Sequence, residues 1–136
     1  MIQTGISKQE EIFVAQAELA EKHNRPLIIH CVKAWQELIA IKKQLHPTTP
    51  WIIHGFRGKQ TLAKQLLEQK FFLSFGFYAN TESVQAALPD RLFIETDDRA
   101  ISIKDIYRQL AGELGITESQ LKEYIKHNFD TVFRYQ

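Results

Sequence analysis

The sequence has little cysteine and no long apolar run. Cys31 is its only cysteine among 136 residues, which excludes an internal disulfide and fits a reducing compartment. No run approaches the roughly 20 apolar residues that span a bilayer. Residues 1–11 also lack the apolar centre of a secretory signal. These absences predict a cytoplasmic protein without a membrane partner.

The net charge is small as well. Lys and Arg number 17 and Asp and Glu number 16, so the formal charge of +1 favours neither nucleic acid nor membrane. The hydrophobic fraction of 44% is ordinary for a folded chain. With this length and no linker or low-complexity segment, we expect one domain over residues 1–136 with its own core.

Four short apolar runs predict buried strands, at residues 27–30, 51–54, 71–75 and 92–97. Segments with helical apolar spacing precede or separate them. Alternating strands and helices with short connections are typical of parallel sheets with right-handed crossovers. The fold class is therefore predicted as α/β.

Several helix ends can be placed from capping residues. Ser7–Glu10 and Thr117–Gln120 have the spacing of capping boxes, which predicts that helices begin there. Asn80 and Ser102 are in position to cap two more helices, and Gly115 should end the second of these.

Three strands end on residues that can bind metal. His30 and His54 close the first two runs, and Asp97 closes the fourth. The carboxyl ends of parallel strands meet at the edge where α/β folds bind ligands. Two imidazoles and a carboxylate there suit Zn²⁺, Mn²⁺ or another divalent ion better than Ca²⁺. The alternative is that both histidines are simply hydrogen-bonded at strand ends.

Other polar residues near this edge have two readings each. Lys33 and Arg57 follow the first two strands, where a cation could hold a phosphate oxygen, or could be merely solvated. Glu95 shares a strand face with Asp97 and could support a metal ligand through a hydrogen bond. It could equally belong to a polar layer inside a barrel.

The motifs resemble one known family along nearly the whole chain. The segments "PLIIH", "WIIHGFRG", "FFLSFG" and "LFIETD" look like the last four strands of the TatD family of metal-dependent DNases and related hydrolases. The helix "QEEIFVAQAELA" is similar to a helix of that family, and Asn128 and Phe133 resemble its carboxyl-terminal asparagine and phenylalanine.

The resemblance implies a (β/α)₈ barrel that hydrolyses phosphodiester bonds in DNA with one or two divalent ions, Mg²⁺, Mn²⁺ or Zn²⁺. The family's ligands are a His-x-His pair, a Glu, two strand-ending His and an Asp. His30, His54 and Asp97 match the last three, with Asp97 also in the catalytic role. The sequence contains no His-x-His. We expect strands five to eight of the barrel, a truncated chain and weak metal binding.

Two hypotheses follow, a metal-dependent nuclease and a catalytically incomplete half-barrel without activity of its own. A barrel usually needs about 250 residues, so four strands leave two open sheet edges. Open edges and an uncovered apolar face favour association, and we expect a homodimer. Two copies could also close an eight-strand barrel, which requires both edges to meet in register.

Overall fold

The computed structural model describes residues 3–30, 33–96 and 102–133. Within these ranges strands and helices alternate as the apolar pattern predicts. The strands are β1 (Leu27–Ile29), β2 (Trp51–Ile53), β3 (Phe72–Phe75) and β4 (Leu92–Ile94). The helices are α1 (Gln3–Lys22), α2 (Trp35–Leu45), α3 (Gln60–Glu68), α4 (Thr81–Ala87), α5 (Ile103–Leu114) and α6 (Glu118–Phe133). None of these helices combines the length and hydropathy that a bilayer crossing requires.

The four strands form one parallel sheet in chain order, β1-β2-β3-β4. Ile28 pairs with Ile52, and Ile52 pairs with Phe72. Each crossover between consecutive strands contains a helix. The predicted α/β class with a parallel βα repeat is confirmed.

The two faces of the sheet are buried by different elements. One face, called here the outer face, carries Ile29, Ile53 and Leu73. These residues belong to the large core that the sheet shares with the helices. The inner face carries Ile52 and Phe72, which pack with a smaller apolar cluster. That cluster includes Val132 from the last turns of α6. Burial on both faces explains why β2 and β3 are continuous apolar runs rather than alternating ones.

Most of the predicted helix ends agree with the structure. The Asn80 side chain accepts a hydrogen bond from the Ser83 N–H at the start of α4. Ser102 caps α5 in the same way, and Gly115 ends that helix with φ of 71°, in the left-handed region where glycine is unstrained. Thr117 and Gln120 exchange the two bonds of a capping box.

The predicted start of the first helix is wrong. The helix begins at Gln3, so Ser7 and Glu10 lie inside α1. The Ser-x-x-Glu spacing is close to one helical turn, and it can therefore occur within a helix as well as at its start. Residues 3–6 contain no proline to stop the helix from extending backwards.

Asn128 joins α6 to the start of β4. Its side chain is fully buried, and its amide donates to the carbonyls of Pro89 at 3.0 Å and Leu92 at 2.9 Å. Both carbonyls would otherwise need another donor inside the protein. The bonds hold the last helix against the sheet, which lets Val132 reach the inner face.

Candidate metal centre

His30 and His54 lie side by side at the carboxyl edge of the sheet. Each directly follows its strand, and the His54 N–H donates to the Ile29 carbonyl at 2.8 Å, which extends the ladder by one residue. Alternation along the strands places both on the inner face with Ile28 and Ile52. Their ring centroids are 4.4 Å apart with the planes at 66°. The strand endings thus bring the two imidazoles together.

Glu95 fixes one nitrogen of the His54 ring. Its Oε2 lies 2.6 Å from His54 Nδ1, and its Oε1 accepts a hydrogen bond from the Gly55 N–H at 2.8 Å. The Glu95 side chain is 14% exposed and that of His54 is 40% exposed. With Nδ1 occupied, His54 has Nε2 left for a ligand. Metal-bound histidines usually make such a bond to a carboxylate through their other nitrogen.

The two histidines open onto a cleft of about 550 Å³. Its lining residues come from the ends of all four strands and from the loops that follow, namely His30, Trp35, His54, Gly55, Arg57, Gly58, Gly76, Phe77, Tyr78 and Glu95. Arg57 is thus placed in the cleft. Lys33 is exposed to solvent and is absent from that lining.

The third predicted ligand, Asp97, lies outside the described residues. Across residues 3–30, 33–96 and 102–133, no three His, Cys, Asp or Glu side chains cluster closely enough to hold a metal ion. The donors that are described nevertheless fit a divalent ion, because two neighbouring imidazoles face one cleft and Glu95 orients one of them. The metal-binding roles of His30, His54 and Asp97 stay predictions.

The sequence interpretation missed the aromatic residues of the cleft. Trp35 lies at the start of α2, and Phe77 and Tyr78 follow β3. Their position offered a signal, because they come soon after strand ends, at the same edge of the sheet as His30 and His54. The apolar pattern identifies buried positions, and it does not distinguish an aromatic residue of the core from one that lines a cleft.

Comparison with known proteins gives consistent matches along the chain. Residues 3–134 match the family model described as TatD related DNase. The chain is 35% identical over 97 residues to YabD of Bacillus subtilis, described as an uncharacterized metal-dependent hydrolase. It is 31% identical over 104 residues to the human 3'-5' RNA nuclease TATDN2. These alignments cover 65% and 69% of this chain respectively.

The solved structures show the same fold. The crystal structure of YjjV, a TatD homolog from Escherichia coli, aligns with 97% of this chain at a TM-score of 0.82 and 19% identity. The alignment covers 59% of the YjjV chain. The sequence matches cover 38% of YabD and 14% of TATDN2. This chain therefore spans only part of the length of its relatives.

Proposed function

Because the chain belongs to the TatD related DNase family, we propose that it contributes to a metal-dependent hydrolase that cleaves phosphodiester bonds in DNA. The pairing of His30 with His54, with Glu95 on the second ring, is the observation that carries this proposal. The descriptions of YabD as a metal-dependent hydrolase and of TATDN2 as a 3'-5' RNA nuclease support the same chemistry.

Each residue has a separate part in this proposal. His30 and the Nε2 atom of His54 would hold a divalent ion, Mg²⁺, Mn²⁺ or Zn²⁺, together with Asp97. Such an ion supplies a polarised phosphoryl oxygen and a water of lowered pKa. Glu95 keeps the His54 ring in the orientation that presents Nε2. Asp97 is the proposed catalytic carboxylate, and Arg57 is in place to neutralise a phosphate oxygen. Lys33 remains a second candidate for phosphate.

We assign the four strands to positions five to eight of a (β/α)₈ barrel, with α5 and α6 closing the domain. The partial coverage of YjjV supports this assignment. So does the exposure of Ile28, which is 53% accessible on the inner face although its neighbour Ile52 is 4% accessible. A further strand beside β1 would cover Ile28.

An endonuclease and exonuclease assay tests the function. The purified chain is incubated with end-labelled single-stranded DNA and Mn²⁺ or Mg²⁺, and products are separated on a gel. We expect cleavage that disappears with EDTA and with Asp97→Ala. The matched control, Asp105→Ala, replaces an exposed aspartate at the start of α5 and should cleave normally. Cleavage that survives Asp97→Ala would contradict the proposed role.

The alternative function is a half-barrel that is inactive alone. It is favoured by the missing His-x-His motif and by the lack of a three-ligand cluster among residues 3–30, 33–96 and 102–133. An absence of cleavage at every metal concentration supports it. Mixing the chain with a separately expressed amino-terminal half of YabD then asks whether the missing ligands restore cleavage. Restored activity that requires Asp97 assigns the site to this chain.

We also propose that the chain forms a homodimer through its open edges. In the described residues β1 and β4 each have one neighbouring strand. On α1, which contacts β1, Ile12 and Leu19 are 59% and 55% exposed, in addition to Ile28 on β1 itself. Large exposed aliphatic side chains close to an open edge favour association. Light scattering tests this, since a clean 15.8 kDa monomer contradicts it. Ile28→Glu should shift a dimer towards monomer.

A further inference from the structure

A second cavity lies at the opposite edge of the sheet from the two histidines. It has a volume of about 330 Å³ and lies between the ends of α2 and α3, where its lining includes Lys42, Lys43, His46, Glu68, Gln69 and Lys70. The chain runs from Lys70 directly into the start of β3, so this cavity is at the amino edge of the sheet. Among the described residues, none that lines it also lines the cleft at the carboxyl edge. We call it the amino-edge cavity.

The lining of the amino-edge cavity is basic. It has three lysines against one glutamate, Glu68, and His46 adds an imidazole. Arg91 brings a further cation close, because its Nη1 donates to the Lys70 carbonyl at 3.0 Å. In the part of the chain that the structure describes, no carboxylate forms an ion pair with Lys42, Lys70 or Arg91. The described residues therefore gather positive charge here without neutralising it.

Lys42 brings a half-buried ammonium group to this cavity. Its Nζ donates to the Gln69 carbonyl at 2.6 Å and lies 5.3 Å from the centroid of the buried Phe71 ring. Burial lowers the pKa of Lys42, and the positive charges of Arg91 and Lys70 lower it further. An ammonium group has three donors, of which the described residues use one in the bond to Gln69. Two donors are left for a ligand.

Two basic side chains of the cavity stand at backbone positions that favour glycine. His46 and Lys70 follow α2 and α3 with φ of 47° and 67°. Glycine is the usual residue in this left-handed region at a helix end, because it has no Cβ to be strained. The closing hydrogen bond from the Lys70 N–H to the Leu67 carbonyl uses only the backbone. The turns themselves therefore do not require a basic side chain at either position.

We propose that the amino-edge cavity binds a dianionic phosphate group, either inorganic phosphate or the phosphate of a small phosphomonoester. Such a group accepts several charge-assisted hydrogen bonds, which suits the two remaining donors of Lys42 and the charge of Lys70. Cations held close together repel one another, and a bound dianion replaces that repulsion by attraction. The volume is near the lower end of the roughly 300–1,000 Å³ of ligand sites, as expected for a small ligand. The inference does not depend on the proposed hydrolase function.

Calorimetry and thermal unfolding in metal-free buffer test the inference. Inorganic phosphate is titrated at constant ionic strength against sodium chloride, because a diffuse positive field is screened by chloride as well. We expect saturable binding of one phosphate per chain. The unfolding temperature should rise with phosphate concentration, since a ligand that binds only the folded state stabilises it.

Parallel titrations with glycerol 3-phosphate and dimethyl phosphate identify the source of the phosphate. Tighter binding of glycerol 3-phosphate than of inorganic phosphate assigns the site to a phosphomonoester, and the reverse order assigns it to free phosphate. Dimethyl phosphate is a diester with a single negative charge. It should bind at least about tenfold more weakly than the better of the other two, because the attraction to the cations scales with charge.

Charge-changing variants locate the site. Lys42→Gln should weaken phosphate binding at least about tenfold, the loss expected for a hydrogen bond between charged groups. Lys70→Gly should also weaken it, while the unfolding temperature without phosphate stays equal or rises, because glycine is unstrained at φ of 67°. Glu68→Gln removes the acidic residue of the lining and should strengthen binding. The matched control is Lys64→Gln, an exposed position on α3 outside this lining, which should bind normally.

A variant in the cleft separates the two edges of the sheet. Arg57→Gln should leave phosphate binding unchanged. If it abolishes binding while Lys42→Gln does not, the phosphate binds at the carboxyl edge and the inference is wrong. Equal losses in Lys42→Gln and Lys64→Gln would overturn it too, because they indicate a general effect of charge. So would the lack of saturable binding at matched ionic strength, or equal affinity for the diester.

Two further results keep the test decisive. Circular dichroism verifies that each variant is folded, and if Lys42→Gln does not fold, the opposite changes expected for Lys70→Gly and Glu68→Gln decide the matter. Phosphate binding here by a chain that cleaves no DNA in any metal would remove the proposed hydrolase function and keep this site. Cleavage without phosphate binding would do the reverse.

Discussion

The carboxylate of Glu95 lies 2.6 Å from Nδ1 of His54 and bonds the backbone of the next residue with its other oxygen. Two contacts from one side chain fix both the ring of His54 and the start of the loop that follows β2. That loop leads to Arg57 and Gly58, which line the cleft. Glu95 therefore links the His54 ring to the loop that lines one side of the cleft.

Replacing Glu95 by glutamine should weaken metal binding. The amide keeps the size of the side chain but removes the charge that orients and polarises the His54 ring. Loss of such a partner typically costs about 10–100-fold in metal affinity. Calorimetric titration with Zn²⁺ and Mn²⁺ measures the effect, with Glu82→Gln on the exposed surface of α4 as the matched control. Equal affinity of Glu95→Gln and the unmodified chain would contradict the orienting role.

Gly58→Ala should disturb the floor of the cleft. A Cβ at this position would lie 2.5 Å from Cζ of Phe56 and 3.1 Å from Cδ2 of Leu62. Phe56 is buried under Trp35 and cannot turn away freely. We expect a loss of about 1–3 kcal/mol in the free energy of unfolding and a changed Trp35 emission.

The control for that change is Gly112→Ala. Its added Cβ meets nothing within 4 Å, and the position lies inside α5. Alanine there should stabilise the protein by up to about 1 kcal/mol because glycine is the poorer helix former. Urea unfolding measures both variants. A Gly58→Ala protein as stable as the original would show that Phe56 has room to move.

Glu21 should make stability depend on pH in the acid range. Burial alone would raise its pKa, but hydrogen bonds from Thr48 and Thr49 outweigh this and leave the pKa lowered. The pKa of Glu21 in the folded protein thus lies below its value of about 4.3 in the unfolded chain. The stabilisation by these hydrogen bonds is therefore complete when the pH is above about 4.3. It is lost as pH falls through the folded pKa, because the unfolded chain then binds more protons.

Unfolding in urea between pH 3 and pH 7 tests this. Glu21→Gln should lower the free energy of unfolding at pH 7. It should also weaken the dependence of that free energy on pH in the acid range. Glu18→Gln, an exposed position on the same helix, serves as the control and should retain the original slope. A slope that is unaffected by Glu21→Gln would mean that other carboxylates determine the acid dependence.

Asn128→Ala should be strongly destabilising. The substitution removes two bonds of 3.0 and 2.9 Å and leaves the carbonyls of Pro89 and Leu92 without this donor. Each unsatisfied buried group costs about 1–3 kcal/mol, and we expect at least about 2 kcal/mol in total. Thr131→Ala removes an exposed hydroxyl on the same helix and should change stability by less than about 0.5 kcal/mol. Equal unfolding midpoints for the two variants would refute this account.

The meeting of His30 and His54 was predictable because it follows from short-range rules. Each residue ends an apolar run, side chains alternate along a strand, and parallel neighbours align their carboxyl ends. The capping roles of Asn80 and Ser102 were predictable for the same reason, because a cap involves only the three residues that follow it.

The remainder of the site depends on contacts that no local pattern contains. The stacking of Arg57 on Tyr78 joins two loops whose paths are set by tertiary packing. The sequence allowed two roles for Glu95, support of a metal ligand or part of a polar layer inside a barrel. Both roles put its carboxylate on the inner face, and only its contact with the His54 ring distinguishes them. The start of α1 was misplaced because a capping box has the spacing of any helical turn.

The packing of Val132 on Ile52 and Phe72 also excludes solvent from part of the inner face of the sheet. These three side chains are at most 5% exposed, whereas the cleft beside them opens where His54 and Tyr78 line it. A ligand therefore reaches His54 and Tyr78 from the carboxyl edge of the sheet and not through this packed cluster. If the proposed hydrolase acts here, substrate and product share one approach, and slow release of the product would limit turnover.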